Sequence, residues 1–148
     1  MVRKVVIGVG AALVLIYVLL LVVPIDPVER RPGTRLGGEM AADQTPDWGD
    51  YGRKQIAVQT RTWYLVPHAV TTTSWVDDGS FYVPCARCEG KRWPRNVARD
   101  NRVRLKIDGV LYDRRAIRIT DPGERARVLG TVGRDPASAT AVFRMDPR

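Results

Sequence analysis

Arg99-Asp-Asn-Arg-Val103-Arg-Leu-Lys-Ile107-Asp-Gly109 decides the fold. Val103, Leu105 and Ile107 alternate with Arg104 and Lys106, the two-residue period of a strand with one buried face. Asp108-Gly109 follows at once, and this pair accepts the positive φ that a tight hairpin turn needs. Val110 to Thr120 is the returning strand, with Ala116, Ile117 and Ile119 as expected core residues. Upstream the same design recurs. Gln55 to Thr62 alternates, and Trp63-Tyr-Leu-Val-Pro67 reads as its continuation in one long bent strand, with Pro67 at an edge or bulge. Val70 to Val76 is rich in Thr and Val, Asp77-Asp-Gly-Ser is a second hairpin signal, and Ser80 to Pro84 returns. A loop, Cys85 to Lys91, leads to a short helix over Arg92 to Arg99. Asp121-Pro122 opens another helix, with Asp as N-cap and Pro at the first helical position. A strand at Ala139 to Met145 closes the chain. The predicted class is mainly β (α+β): a small antiparallel split β-barrel with two short helices.

N-terminal to this domain stands Val5-Val-Ile-Gly-Val-Gly-Ala-Ala-Leu-Val-Leu-Ile-Tyr-Val-Leu-Leu-Leu-Val-Val23, a run without a charge, after Arg3 and Lys4. At about 1.5 Å per residue it matches the ~30 Å hydrocarbon core of a bilayer. It is longer than the apolar region of a secretory signal, and it runs into Pro24-Ile25-Asp26-Pro27, which offers no small-residue cleavage pair. The expectation is a single transmembrane helix, a lipid bilayer as first partner, and a cell-membrane location. Lys and Arg on the two sides of the span do not decide its orientation. A short basic N-terminus kept in the cytoplasm is the commoner arrangement, and it puts the domain outside. The expected division is an anchor at 1–23, a Pro/Gly-rich linker at 24–52 and the barrel at 53–148. Trp48 and Tyr51 are placed to dock the linker end on the domain or to sit at the membrane interface.

The 148-residue chain carries a formal net charge of +8, with 24 Lys and Arg against 16 Asp and Glu. The aromatics do not interleave with the basic residues as in a nucleic-acid-binding motif, so nucleic acid is not an expected partner. The charge fits anionic head groups or an anionic ligand. Its densest concentration is the loop Pro84-Cys-Ala-Arg-Cys-Glu-Gly-Lys-Arg-Trp-Pro-Arg-Asn96, where Arg87, Lys91, Arg92 and Arg95 face one acid, Glu89. Gly90 lets backbone amides approach a ligand, and the helix start beyond adds free N–H groups. These are the ingredients of a phosphate site, at a spacing that matches neither a P-loop nor a dinucleotide fingerprint. Cys85 and Cys88 admit three readings: a loop-stapling disulfide, which needs an oxidising compartment; a redox pair; or half of a zinc site. Zinc lacks its four ligands, because His68 is the one histidine beside these two cysteines. No metal site is expected. A lone histidine such as His68 is more often structural than catalytic, and neither a Ser/His/Asp signature nor a carboxylate pair appears, so no catalytic residue is assigned.

The layout resembles the split β-barrel flavin-binding superfamily, which holds the pyridoxamine-phosphate-oxidase-like proteins and the deazaflavin-dependent nitroreductase and quinone reductase branch. The residues that carry the resemblance are Gly79-Ser-Phe-Tyr-Val-Pro84, Trp93-Pro-Arg-Asn96-Val97, the Arg99–Gly109 stretch, Ala116-Ile-Arg-Ile-Thr120, Glu124-Arg-Ala-Arg127 and Ala141-Val-Phe-Arg-Met-Asp-Pro-Arg148. It covers roughly Lys54 to the C-terminus. It implies FMN or a deazaflavin as cofactor, its phosphate held by Arg87, Lys91 and Arg92, with Trp93 and Asn96 nearby and Arg61 joining from an earlier strand. It also implies an oxidoreductase acting on a quinone or other lipophilic acceptor. Two features depart from the family: Val70-Thr-Thr-Thr-Ser-Trp75 stands where the deazaflavin branch has Gly-Arg-x-x-Gly, and the two cysteines have no counterpart. The alternative is an accessory or assembly subunit that docks on a membrane complex or on a second copy of itself.

Overall fold

The computed structural model describes residues 2–49 and 51–148, the side chains of residues 2–4 excepted. Arg3 and Lys4, which enter the orientation argument, therefore lie outside the described side chains. The elements run α1 (Val2–Val22), β1 (Glu39–Met40), β2 (Arg53–Arg61), β3 (Pro67–Asp77), β4 (Ser80–Cys85), α2 (Arg92–Arg99), β5 (Arg102–Ile107), β6 (Val110–Arg118), α3 (Pro122–Gly130) and β7 (Ala141–Pro147). The expected class is the observed one.

Strands β2 to β7 form a closed antiparallel barrel in the order β6-β5-β2-β3-β4-β7, with β7 returning to β6. Closure depends on β6, which pairs with β5 through Val110–Arg115 and with β7 through Arg114–Arg118. The alternation read in the sequence is the inside–outside alternation of the barrel wall: Val103, Leu105 and Ile107 are buried, together with Ile56, Val58, Phe81, Val83, Phe143 and Met145. Both hairpin signals hold. Asp78 and Gly79 have φ of 48° and 68°, and Asp108 and Gly109 have 49° and 86°, the left-handed pairs of a tight primed turn. Asp121 caps α3 by accepting a hydrogen bond from the Glu124 amide at 2.7 Å.

Two boundaries differ from expectation. Trp63 to Val66 is not an extension of β2 but a turn. The Leu65 amide donates to Thr62 O at 3.1 Å and the Thr62 hydroxyl to Val66 O at 2.8 Å, so the chain reverses and Pro67 starts β3 opposite Arg61. The reversal needs Leu65 at φ 68°, which a period count does not reveal. The closing strand, expected at Ala139–Met145, begins at Ala141 and runs to Pro147.

The split in the barrel lies between β3 and β4. Strand β3 has eleven residues, yet only Trp75, Val76 and Asp77 pair with β4. Beyond Tyr82 the fourth strand pairs with β7 alone, so Pro84, which has no N–H, leaves no bond unmade toward β3. Helix α2 packs over β2 and β3, with Trp93 and Val97 in the core.

The Pro/Gly-rich segment lies along the barrel. Gly33 and Ala69 exchange backbone hydrogen bonds of 2.9 and 3.0 Å, so the segment pairs with β3 where β4 does not. Lys106 bonds Asp26 at 2.5 Å, and the Gln59 side chain accepts from the Leu36 amide at 2.7 Å. Leu36 is buried against Ala69 and Leu111, and Met40 and Glu39 form a parallel pair with β6. Trp48 and Tyr51 both pack on Phe81, at 5.0 Å between ring centroids. Of the two placements open to them in the sequence, they take the domain.

Gly33 is the residue this path depends on. A Cβ there would stand 2.1 Å from the carbonyl oxygen of Ile25 and 2.7 Å from the nitrogen of Pro27. Gly33→Ala is therefore expected to cost about 1–3 kcal/mol of stability in a denaturant titration, the usual cost of overpacking a rigid contact.

Candidate functional site

The open half of β3, the Arg30–Pro32 turn and the start of α2 enclose a cavity of about 430 Å³. Its cations are Arg30, Arg31, Lys91 and Arg92, its one acid is Glu29, and His68, Val70, Thr71 and Thr72 form the wall. Each part has a local cause. The Val28–Arg31 turn closes on itself through two backbone hydrogen bonds, of 2.8 and 3.1 Å, and Gly33 holds it against Ala69. Lys91 is the N-cap of α2 in extended conformation, and no side chain caps the helix start. The positive end of the helix adds to the four side chains.

Cys85 and Cys88 are joined in a disulfide, with their Cα atoms 5.3 Å apart. Cys85 is buried at the end of β4, so the bond ties the Cys88–Gly90 turn, and Lys91 after it, to the barrel wall. Among the described residues no three His, Cys, Asp or Glu side chains gather to hold a metal ion.

No protein-family model and no curated protein matches the chain. Solved structures do. A Listeria innocua protein assigned as a pyridoxamine 5'-phosphate oxidase superposes with a TM-score of 0.51 at 21% identity, over 64% of this chain and 85% of that one. General stress protein 26 from Bacillus anthracis gives 0.50 at 15% identity, over 66% and 81%. The chain has the split-barrel fold of the pyridoxamine 5'-phosphate oxidase-like proteins. At these identities the likeness is one of fold alone.

Within the split barrel, the six residues that the resemblance put around a phosphate part company. Lys91 and Arg92 meet at the cavity. Trp93 borders it but is 3% exposed and packs on Phe143 at 4.8 Å, so most of its ring belongs to the core. Asn96 is buried and donates to Thr60 Oγ1 at 2.9 Å, and the Thr60 hydroxyl donates in turn to the His68 carbonyl at 3.2 Å. This chain of bonds ties α2 to β2 and β3. Arg87 lines a different cavity, with Arg118 and Arg125, and Arg61 a third, with Arg35 and Arg102. Arg30 and Arg31 share the cavity with Lys91 and Arg92. In the sequence they are only charges between the membrane run and the barrel, and nothing local shows what they face.

His68 is the titratable group that reports on this site. Its pKa lies below the usual 6.5, first because half-burial disfavours the charged ring and second because Arg92 repels it. The unfolded chain thus binds this proton more readily than the folded one. The stability it lends is present above pH 6.5 and is lost as pH falls through that value toward the folded pKa. By NMR, the His68 ring is expected to titrate below 6.5 in the free protein. An anion that neutralises Arg92 should move the midpoint upward, and Arg92→Gln should do the same without the anion.

Proposed function

We propose that this is a membrane-anchored split-barrel protein that binds a flavin-type cofactor through its phosphate at the Arg30–Arg31–Lys91–Arg92 cavity and serves an oxidoreductase reaction with a quinone or other lipophilic acceptor. The observation that carries the proposal is the convergence of four cations and an uncapped helix start on one cavity at the split. The donor set suits a phosphate: guanidinium and ammonium groups donate to it, with one carboxylate, Glu29, at the rim. The volume is within the roughly 300–1,000 Å³ of small-molecule sites. Val70, Thr71 and Thr72 offer a mixed apolar and hydroxyl wall to a ring. A bound flavin or deazaflavin would supply hydride or electron transfer, while these residues bind and orient it.

Helix α1 supports the location. Its Val5–Val22 window has a mean hydropathy of 3.0, and none of it is buried in the protein, so its apolar surface needs another medium. The Cys85–Cys88 disulfide supports a domain on the oxidising side of the membrane. An outward domain with an oxidised Cys85–Cys88 pair weakens the deazaflavin reading.

One observation favours the second reading, an accessory subunit of a membrane complex. None of the Val5–Val22 window is buried within the protein, so its apolar surface is open to a partner helix as well as to lipid.

Titration of the full chain in mild detergent with FMN, and separately with a deazaflavin, tests the first reading. Binding is expected, with Lys91→Ala and Arg92→Ala each weakening it about tenfold or more, as the loss of a charge-assisted hydrogen bond requires. If a folded chain binds neither cofactor and co-purifies with a stoichiometric partner, the accessory reading replaces it.

A further inference from the structure

The turn between β2 and β3 is the most exposed apolar feature of the barrel. Trp63 is 78% exposed, Tyr64 38% and Leu65 57%. Trp63 and Tyr64 meet edge to face at 5.2 Å, so the two rings form one block. Leu65 sits at φ 68°, a conformation that costs a branched side chain strain and that glycine would adopt freely. An exposed leucine held in strain at a loop tip does nothing for the barrel itself, whose core lies elsewhere.

The neighbours of the turn say what it meets. The Tyr17 hydroxyl of α1 donates to the Tyr64 carbonyl at 2.9 Å. Tyr17 stands five residues before Val22, so the turn reaches back along α1 by about 7 Å from the helix end, at 1.5 Å per residue. Within the turn, the Leu65 amide and the Thr62 hydroxyl and amide are paired internally, and Tyr17 takes the Tyr64 carbonyl. The Trp63 and Tyr64 amides have no partner among the described residues, which suits the hydrated headgroup level and not the hydrocarbon, where unmade bonds are costly. Beside the turn lies a cavity of about 480 Å³ whose lining includes Leu21 of α1, Leu65, Arg35, Arg61, Arg102 and Arg104. Arg102 is held by Asp100, through bonds of 2.8 and 2.7 Å that lower the Asp100 pKa to about 2, and Arg104 is held by Asp113 at 2.7 Å. Arg35 and Arg61 are exposed and make no ion pair among the described residues.

We propose that the Trp63-Tyr64-Leu65 turn is a second membrane contact, inserted at the headgroup boundary of the bilayer that α1 crosses, with Arg35 and Arg61 receiving the phosphates of anionic lipids beside it. The proposal rests on the reading of α1 as a span. Amphipathic rings at the boundary and arginines at the phosphate level match the two layers of that interface. Two contacts, one through α1 and one through the turn, hold the barrel at a set height and tilt. The residue that the family resemblance put at a cofactor phosphate, Arg61, serves a lipid phosphate instead.

The test uses the full chain reconstituted in vesicles of phosphatidylcholine and phosphatidylglycerol, with acyl-brominated lipids as quenchers of tryptophan emission. Trp75 and Trp93 are buried and Trp48 is half-buried against Phe81, so Trp63→Phe is expected to remove most of the lipid-dependent quenching. Leu65→Gly is expected to reduce the quenching while the melting temperature stays level or rises, which separates docking from folding. Arg35→Ser and Arg61→Ser should each lower the preference for brominated phosphatidylglycerol over phosphatidylcholine roughly fivefold, as about 1 kcal/mol per arginine at the surface implies. Quenching that Trp63→Phe leaves unchanged, in a chain that resists alkaline carbonate extraction, overturns the docking turn and keeps the anchor. A chain that carbonate strips from the vesicles overturns the anchor, and the docking turn with it.

Discussion

The backbone exchange between Gly33 and Ala69 is the contact on which the rest of the molecule's surface depends. Strand β3 outruns its partner β4, and a strand edge in a barrel wall is either paired or exposed to water and to other edges. Here a segment from outside the barrel takes the free edge for one residue pair and then leaves it. That single bridge does two things. It pairs the β3 edge at Ala69, and it leaves Val70, Thr71 and Thr72 open as a cavity wall. Because the segment must pass within contact distance of its own backbone at Ile25 and Pro27, only glycine fits at the crossing.

Charge then follows from connectivity. The bridge fixes the Val28–Arg31 turn, so Arg30 and Arg31 meet Lys91 and Arg92 from the far side of the split. The disulfide and the buried Asn96–Thr60–His68 chain fix the other side. These four cations are exposed, and together they present a positive field that an anion would neutralise. His68 registers the same field, as burial first and Arg92 second lower the pKa of its ring. A different solution appears at Arg114, which is 1% exposed. Its guanidinium lies over Trp48 and Tyr112, at 5.6 and 5.4 Å, and donates to the Asp113 carbonyl at 2.9 Å. Burial lowers its pKa, and the two ring faces offset part of that cost.

Much of the barrel was legible in the sequence because its signals are local. Asp-Gly pairs mark two hairpins through the positive φ they tolerate, Asp121-Pro122 marks a helix start, and the Val103–Ile107 alternation marks which side chains face inward. The basic loop was legible for the same reason: its charges are neighbours in the chain. The reversal at Trp63–Val66 was not, because an apolar run with a Leu in left-handed conformation carries no turn residue to announce it. Nor was the position of residues 24–49. Proline and glycine in that segment mark a lack of regular structure, and a chain without regular structure can be either a tether or a strap; the choice is made by side chains far away, such as Gln59, Lys106 and Phe81.

By itself, then, the sequence determined the class of the domain, the apolar helix before it and the presence of a cation-rich loop, since each rests on periodicity, composition or adjacency within a few residues. The tertiary structure alone decided which cations share a cavity. Arg30 and Lys91 are sixty-one positions apart and are brought to one site by a backbone pair at Gly33 and Ala69. Arg61 and Arg87, which the family resemblance groups with Lys91, line separate cavities. The physical reason is that a barrel wall sends successive strands around a closed circumference. Nearness in sequence therefore does not set which face of the wall a charge occupies, whereas strand register does.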